Sequence, residues 1–510
     1  MSQDKTLVYR KQEAGMKRYT AILLAMLLLS SCTGPAPEES ETAQTQAAET
    51  PETEEPAETE EEIDFSTLPF LERIRYSANQ VEDNLPDKSF DGRSALVRHQ
   101  NSSYYIEEQN GEALNDSIYN QYLTIEDRFD VKIVFEESVS ADIYEWTADM
   151  QKLAMSGDHY ADLVECWNNR TAELVSQGYY TDLSGSEYID IKKPWYFGNE
   201  IEMYSYGGRY YAITGFMNTP KVFGAMTSVF YNKNIGTDYN FENLYDVVRE
   251  GRWTLDYILG ITSSMLKDAN GNGRPDKDDV FALNYSVAGS WLNTPATMEI
   301  PQIDKDENGD LVFTVFSNPE KAQPIWDGMR DLTYAKNFGS YSSSDWGIES
   351  FLAGNALVAY DMLGSLSALR TVEFDYGVLP PWKADEAQEN YYTSYLPCPW
   401  LIPTSVPDLE FAEIMMTAFA AEGYKQVLPV CYESTFKNKY AVDEDTGEML
   451  DLMMKNVRAD GSLMFGDAGY IYAMWNYNTS RVGFGAYWQK KRSAMEARMD
   501  EILSALESIQ

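Results

Sequence analysis

Histidine and cysteine are scarce in this chain: two histidines, His99 and His159, and four cysteines among 510 residues. Neither histidine lies at ligand spacing from a cysteine or from the other, so neither a zinc centre nor a Ser-His-Asp arrangement is indicated. Cys166, Cys398 and Cys431 fall in the body of the chain, and three thiols cannot pair completely among themselves, so no disulfide framework is implied. Basic residues are also in short supply. Forty Lys and Arg against 81 Asp and Glu leave a formal charge of -41, which makes nucleic acid and other polyanions poor partners. Long apolar runs are missing: the stretch from Ala21 to Leu29 is too short to span a bilayer, and no later run approaches that length.

The N-terminus has a layout of its own. Lys17 and Arg18 precede the Ala21 to Leu29 run, and small Ser30 and Ser31 lead into Cys32. This order resembles the signal and lipobox of bacterial lipoproteins, with Met16 a plausible start of translation. The resemblance implies a signal peptide over 1–31, cleavage before Cys32, and a lipid (palmitate) carried on the thiol. The protein would then sit on the extracellular face of the cell membrane. Residues 33–62 contain no Lys, Arg or aromatic and eleven Glu. Such a segment cannot bury enough apolar surface to fold. Residues 32–62 therefore read as the lipidated cysteine and an acidic spacer reaching some tens of ångströms from the membrane by linker scaling. A regulatory acidic tail is the competing reading; the position directly after Cys32 favours the spacer.

From Ile63 onward about 450 residues remain, enough for two or three domains at ordinary sizes. Short β-rich runs alternate with longer amphipathic stretches. Ala161 to Cys166 reads as a strand, Ala172 to Gly178 as a helix, Tyr210 to Ile213 and Ser228 to Lys233 as further β-rich pieces. A helix is expected from Thr254, a strand over Ala356 to Tyr360, and a packing helix over Ser493 to Ser508. That alternation is α/β grammar, in which loops at the carboxyl ends of strands are available for binding.

The sharpest local motif runs from Asp268 to Asp279. Asp268, Asn270, Asn272, Asp276 and Asp279 place oxygen ligands at positions 1, 3, 5, 9 and 12 of a twelve-residue loop, Gly273 occupies position 6, and Arg274 offers its carbonyl at position 7. This is the spacing of an EF-hand-type calcium loop. Asp279 stands where paired sensor loops have Glu, and Pro275 where they have an apolar residue, so the motif reads as a lone structural calcium site; an Asx-rich turn with solvated carboxylates is the alternative. Asp304 to Asp310 looks similar for six residues, but its twelfth position is Val315. It reads as a hairpin, with Asn308-Gly309 as a two-residue turn and Leu311 to Val315 as a strand.

Several segments in order resemble the extracellular solute-binding lipoproteins of ABC sugar importers, especially large Gram-positive ones. They are Met155 to Asp158, Ala161 to Val164, Gly208 to Ile213, Phe230 to Lys233, Glu250 to Thr254, Asp279 to Phe281, Phe351 to Ala356, Tyr376 to Pro380, and the tract from Tyr424 to Met449. The resemblance implies a two-lobe, periplasmic-binding-protein-like (type II) fold with a hinge and an interlobe cleft. By that analogy residues 63–213 plus 381–422 form the first lobe, and 214–380 plus 423–510 the second, which carries the 268–279 loop. It implies further that the protein captures a carbohydrate, most simply an oligosaccharide, delivers it to ABC permease subunits, and catalyses no reaction.

A neutral sugar offers apolar C–H faces and a ring of hydroxyls, so a receptor needs flat aromatic platforms and amide or carboxylate partners. Trp167 and Asn168 follow the Ala161 to Cys166 strand directly, and Asp361 follows the Ala356 to Tyr360 strand, a turn that solute-binding relatives often use. Phe216 comes just after the first expected crossover, Trp291 beyond the calcium-like loop, and Trp346 beside Asp345 in a Ser-rich loop. These six are the candidate solute contacts; for Asp361 a helix N-cap is the alternative. A secreted glycoside hydrolase needs only two carboxylates and stays open among 81 acidic residues, as does a surface binder of a peptide or polyamine.

Overall fold

The computed structural model describes residues 70–100, 105–137, 142–267, 269, 271–273, 279–285, 294–332, 340–342, 348–396, 398–437, 444–458, 460–465 and 483–509. The segment expected to be a signal peptide, Cys32 and the expected acidic spacer lie outside these residues. In chain order the strands are β1 (Arg93–His99), β2 (Val131–Glu137), β3 (Leu163–Glu165), β4 (Thr227–Asn232), β5 (Leu266–Lys267), β6 (Val280–Tyr285), β7 (Ile303–Lys305), β8 (Leu311–Phe313), β9 (Ser340–Ser342), β10 (Ala356–Met362), β11 (Tyr376–Leu379) and β12 (Trp400–Leu401). The helices used below are α1 (Phe70–Gln80), α2 (Ala113–Phe129), α3 (Ile143–Ser156), α4 (Thr219–Gly224), α5 (Leu255–Ser264), α6 (Pro319–Arg330), α7 (Leu409–Glu422), α8 (Leu428–Lys437), α9 (Glu444–Lys455) and α10 (Phe484–Ser508).

Two main sheets organise the chain. The first has order β12-β3-β1-β2: β1 runs parallel to β2, from Arg93 opposite Val131 to His99 opposite Glu137, and parallel to β3, while β12 returns antiparallel with Trp400 opposite Glu165. The second has order β11-β4-β10-β6-β5, with β9 beside β6; β10 is antiparallel to β4 and parallel to β6. Central strands buried on both faces read as near-continuous apolar runs. Every residue of β4 is buried, as are the first six of β10.

The first sheet takes its strands from residues 93–165 and 400–401, the second from 227–379, so the chain crosses between them twice. The two crossings lie side by side. Ile213 and Trp400 exchange backbone hydrogen bonds of 3.0 and 2.8 Å, and Thr227 N–H donates to Ser394 O at 2.7 Å.

Local chemistry sets the helix ends. Asp142 caps α3, its carboxylate accepting from Tyr144 N and Glu145 N, and Gly157 ends that helix in the left-handed region at φ 72°. Thr254 caps α5 and Asp408 caps α7. Helix α7 is buried almost all round and continues through a π turn, Gly423–Val427, into α8. Glycine is required at 423, because a Cβ there would stand 2.0 Å from Phe216 O. Residues 423–437, which the resemblance assigns to the second lobe, pack against α1 and α2 beside the first sheet. Helix α9 packs on β11, and α10 on α6.

Several elements differ from the sequence expectations in extent. The strand expected over Ala161 to Cys166 contracts to β3, and Tyr210 to Ile213 forms a single bridge at Ile213. The hairpin forms, but its loop is three residues: Gly309 N–H bonds Asp306 O at 2.9 Å, Asp306 N–H bonds Asp310 O at 2.9 Å, and Gly309 takes φ 84°. The strand expected to Val315 stops at Phe313 and turns into a short helix, Thr314–Ser317. The last helix begins at Phe484, where Phe484, Tyr487 and Trp488 pack around Trp326. Among the described residues no helix is long and apolar enough to cross a membrane.

Candidate functional site

At the carboxyl edge of the first sheet, β1 ends at His99 and β3 at Glu165. Trp167 leads into a short 3-10 turn, Asn168–Arg170, and its half-buried ring packs on the core while Asn168 is buried. Asn168 Oδ1 accepts from Asn169 N at 2.7 Å, which orients the amide. Beneath them Gln100 Nε2 donates to Cys166 O at 3.4 Å and to Cys398 Sγ at 3.8 Å.

Glu165 is fully buried in an otherwise apolar strand, and a buried carboxylate needs a partner. Lys221 Nζ, from α4, lies 3.1 Å from its Oε2, and Asn218 Nδ2 donates to its Oε1 at 3.4 Å. Burial, with the Glu165 charge adding to it, pushes the Tyr105 hydroxyl well above its ordinary pKa. Burial likewise raises the thiols of Cys166 and Cys398. Protonated thiols are poor nucleophiles, so the cysteines here act as packing groups.

Helix α4 links this edge to the second sheet. Leu363 N–H donates to Met226 O at 2.8 Å, and a Cβ on Gly364 would stand 3.1 Å from Gly224 O, so the turn after β10 rests directly against the end of α4. Asp361, expected to follow the strand, lies within it as the penultimate residue of β10, buried and paired in register with Ser228. Its Oδ2 accepts from Ser365 Oγ at 2.7 Å, and its carbonyl accepts from Ser228 Oγ at 3.1 Å.

Phe216 is buried on the first crossing. Its ring lies 5.0 Å from Phe197 and 5.6 Å from Tyr424, and Phe197 lies 5.0 Å from Tyr395 on the second crossing. A cavity of about 400 Å³ opens beside this cluster, walled by Lys193, Phe197, Glu200, Tyr424 and Met454. Trp167 and Asn168 thus share one sheet edge, Asp361 stands at the other, and Phe216 borders the cavity. Trp291 and Trp346 lie outside the described residues. Glu165, Lys221 and Gln100 escaped sequence reasoning. The available signal was the charge at Glu165 inside Leu163-Val164-Glu165-Cys166; its partner comes from 56 positions away and leaves no local pattern.

Of the calcium-like loop, Asn272 and Asp279 are described; Asp268, Asn270, Arg274 and Asp276 lie outside. Gly273 has φ 73°, as the sharp turn at position 6 requires. Asp279 is 1% exposed and its Oδ1 accepts from Ala269 N at 2.9 Å, so the twelfth position folds back on the first turn of the loop. A buried carboxylate at the twelfth position is the donor type that an oxygen-seeking cation takes.

No family model matches the chain, and no curated protein sequence matches it. Solved structures are similar in fold. UspC of M. tuberculosis aligns with 79% of this chain and 100% of its own at 12% identity, with a TM-score of 0.51. An ABC substrate-binding protein of Listeria monocytogenes in complex with cycloalternan aligns with 82% of this chain and 100% of its own, at 12% identity and 0.49. A maltose/maltodextrin-binding domain of Bdellovibrio bacteriovorus bound to maltotriose aligns with 80% and 100%, at 12% and 0.49. The fold is the α/β, type II periplasmic-binding-protein-like one.

Proposed function

We propose that this chain, built on the fold of solute-binding proteins, captures a carbohydrate between the edges of its two main sheets and delivers it to ABC permease subunits. The observation that carries the proposal is the convergence at α4: one helix holds the edge that bears Trp167 and Asn168 and abuts the turn that directly follows the end of β10, where Asp361 lies. Solute sites favour such junctions, and paired crossings permit hinge closure over a ligand. Trp167 supplies a flat ring for the apolar face of a sugar, and Asn168 and Asp361 supply amide and carboxylate partners for hydroxyls. Phe216, Trp291 and Trp346 complete the proposed contact set. The proposed ligand class is an oligosaccharide, whose successive rings offer more than one apolar face to these contacts.

Two further assignments belong to the same proposal. Cys32 carries the lipid that holds the protein on the extracellular face of the cell membrane, after loss of residues 1–31, with 32–62 as spacer. The 268–279 loop holds a structural Ca²⁺ through Asp268, Asn270, Asn272, the Arg274 carbonyl, Asp276 and Asp279; the ion would cross-link the loop and carry out no chemistry on the solute.

The test is a thermal-shift screen of the full chain against mono- and oligosaccharides, polyamines and short peptides. A ligand that binds the folded state raises Tm by mass action. A saturable rise with one sugar class supports the proposal; a rise confined to polyamines or peptides overturns the ligand class.

A further inference from the structure

Tyr144 is the most exposed large aromatic side chain among the described residues, at 64%. Folding hides little of it, yet its place is fixed from two sides. Asp142 accepts from Tyr144 N at 2.9 Å and pins the backbone at the start of α3. The Arg170 guanidinium carbon lies 4.4 Å from the ring centre, a cation–π contact over one face. Arg170 is itself held: it is buried and ion-paired to Glu173 at 3.2 Å, and Glu173 accepts from Gln151 Nε2 of α3 at 3.3 Å. The ring is therefore braced by Arg170 on one face while most of its area stays exposed.

Its position matters as much as this bracing. Strands β2 and β3 flank β1, and all three run parallel, so their carboxyl ends lie at one sheet edge. Helix α3 follows β2, whereas Trp167 and the turn ending in Arg170 follow β3. Tyr144 thus stands at the same edge as Trp167, bridged to it by the Asn168–Arg170 turn. A pre-oriented aromatic plate binds a pyranose face with little ordering cost.

We infer that Tyr144 is an outer sugar platform, and that the ligand is an oligosaccharide long enough to run from Trp167 out onto the Tyr144 ring. This rests on the carbohydrate reading above. Arg170 acts as a positioning residue, keeping the plate in place from beneath.

The test is titration calorimetry of the full chain and its Tyr144→Ala and Tyr144→Phe variants with malto-, manno- and laminari-oligosaccharides of one to four rings. The expected result is length-dependent: Tyr144→Ala weakens the longest bound sugar by roughly tenfold and the monosaccharide by less than about twofold, while Tyr144→Phe stays within about twofold at every length. Equal affinities of wild type and Tyr144→Ala at every length overturn the inference and leave the carbohydrate reading standing. A uniform loss that includes the monosaccharide also overturns it, because a structural role is then sufficient. Failure of the wild type to bind any of these sugars removes the carbohydrate reading itself.

Discussion

Lys221 Nζ lies 3.1 Å from Oε2 of Glu165, joining the crossover helix α4 to the last residue of β3 at the floor of the candidate site. Neither side chain is more than slightly exposed, so the pair is held largely out of water, with Asn218 also donating to Glu165. Removing one member of such a pair costs about 3–5 kcal/mol, whereas replacing both with apolar groups of similar size is often neutral. Lys221→Ala should therefore destabilise strongly, and Glu165→Leu combined with Lys221→Met should recover most of the loss. A double-mutant cycle by urea unfolding measures the coupling; additive single losses would show that the contact contributes little.

Gly423 predicts a second sensitive point. A Cβ there meets Phe216 O at 2.0 Å, and the obstacle is backbone rather than a flexible side-chain end. Gly423→Ala should cost about 1–3 kcal/mol by overpacking, and more where the π turn cannot shift. Because Phe216 moves with it, the variant should also weaken solute binding, which calorimetry reads directly.

Acid sensitivity should centre in part on Asp83. Burial raises its pKa, but the paired Arg128 guanidinium, at 2.6 and 3.0 Å, and the Leu85 N–H outweigh burial and hold it below the usual value. A depressed acid contributes stability that is present above its unfolded pKa, about 3.9, and is lost as pH falls through the lower folded value. Asp83→Asn should thus lower stability at neutral pH and flatten its decline below about pH 4. Urea midpoints measured across that range decide it; an unchanged slope would rule Asp83 out as a contributor.

The calcium assignment predicts that chelator lowers Tm and that Asp279→Asn removes most of that response. Calcium at about a hundred times its Kd stabilises by about 2.7 kcal/mol. Scanning calorimetry with and without chelator checks it, and a Tm indifferent to both calcium and chelator would contradict the assignment.

Much of the architecture was legible because local patterns carry it. The apolar run of β10, the Thr254 cap of α5 and the helical spacing near the C-terminus each follow from neighbours within a few residues. The paired crossings were not legible in detail, since Ile213 meets Trp400 across 187 positions and neither flank carries a strand's alternation. Within the site, Trp167 and Asn168 could be placed from the strand that precedes them. Lys221 and Tyr144 could not: one takes its meaning from a distant buried carboxylate, the other from an arginine 26 positions away that holds its ring. The loop chemistry at 306–310 was half legible, with Asn308-Gly309 marking the turn and Asp306 deciding its length by accepting from Asn308 N and Asp310 N.

The central claim is that the two sheet edges joined by α4 bind a sugar and leave it intact. Its most direct test is calorimetric titration of the full chain and of Trp167→Ala with the oligosaccharide that raises Tm most, followed by chromatography of the recovered sugar. The account predicts one saturable site per chain, an affinity at least about tenfold weaker in Trp167→Ala, and a sugar recovered unchanged. Undiminished binding by Trp167→Ala, or a shortened sugar on recovery, would contradict it.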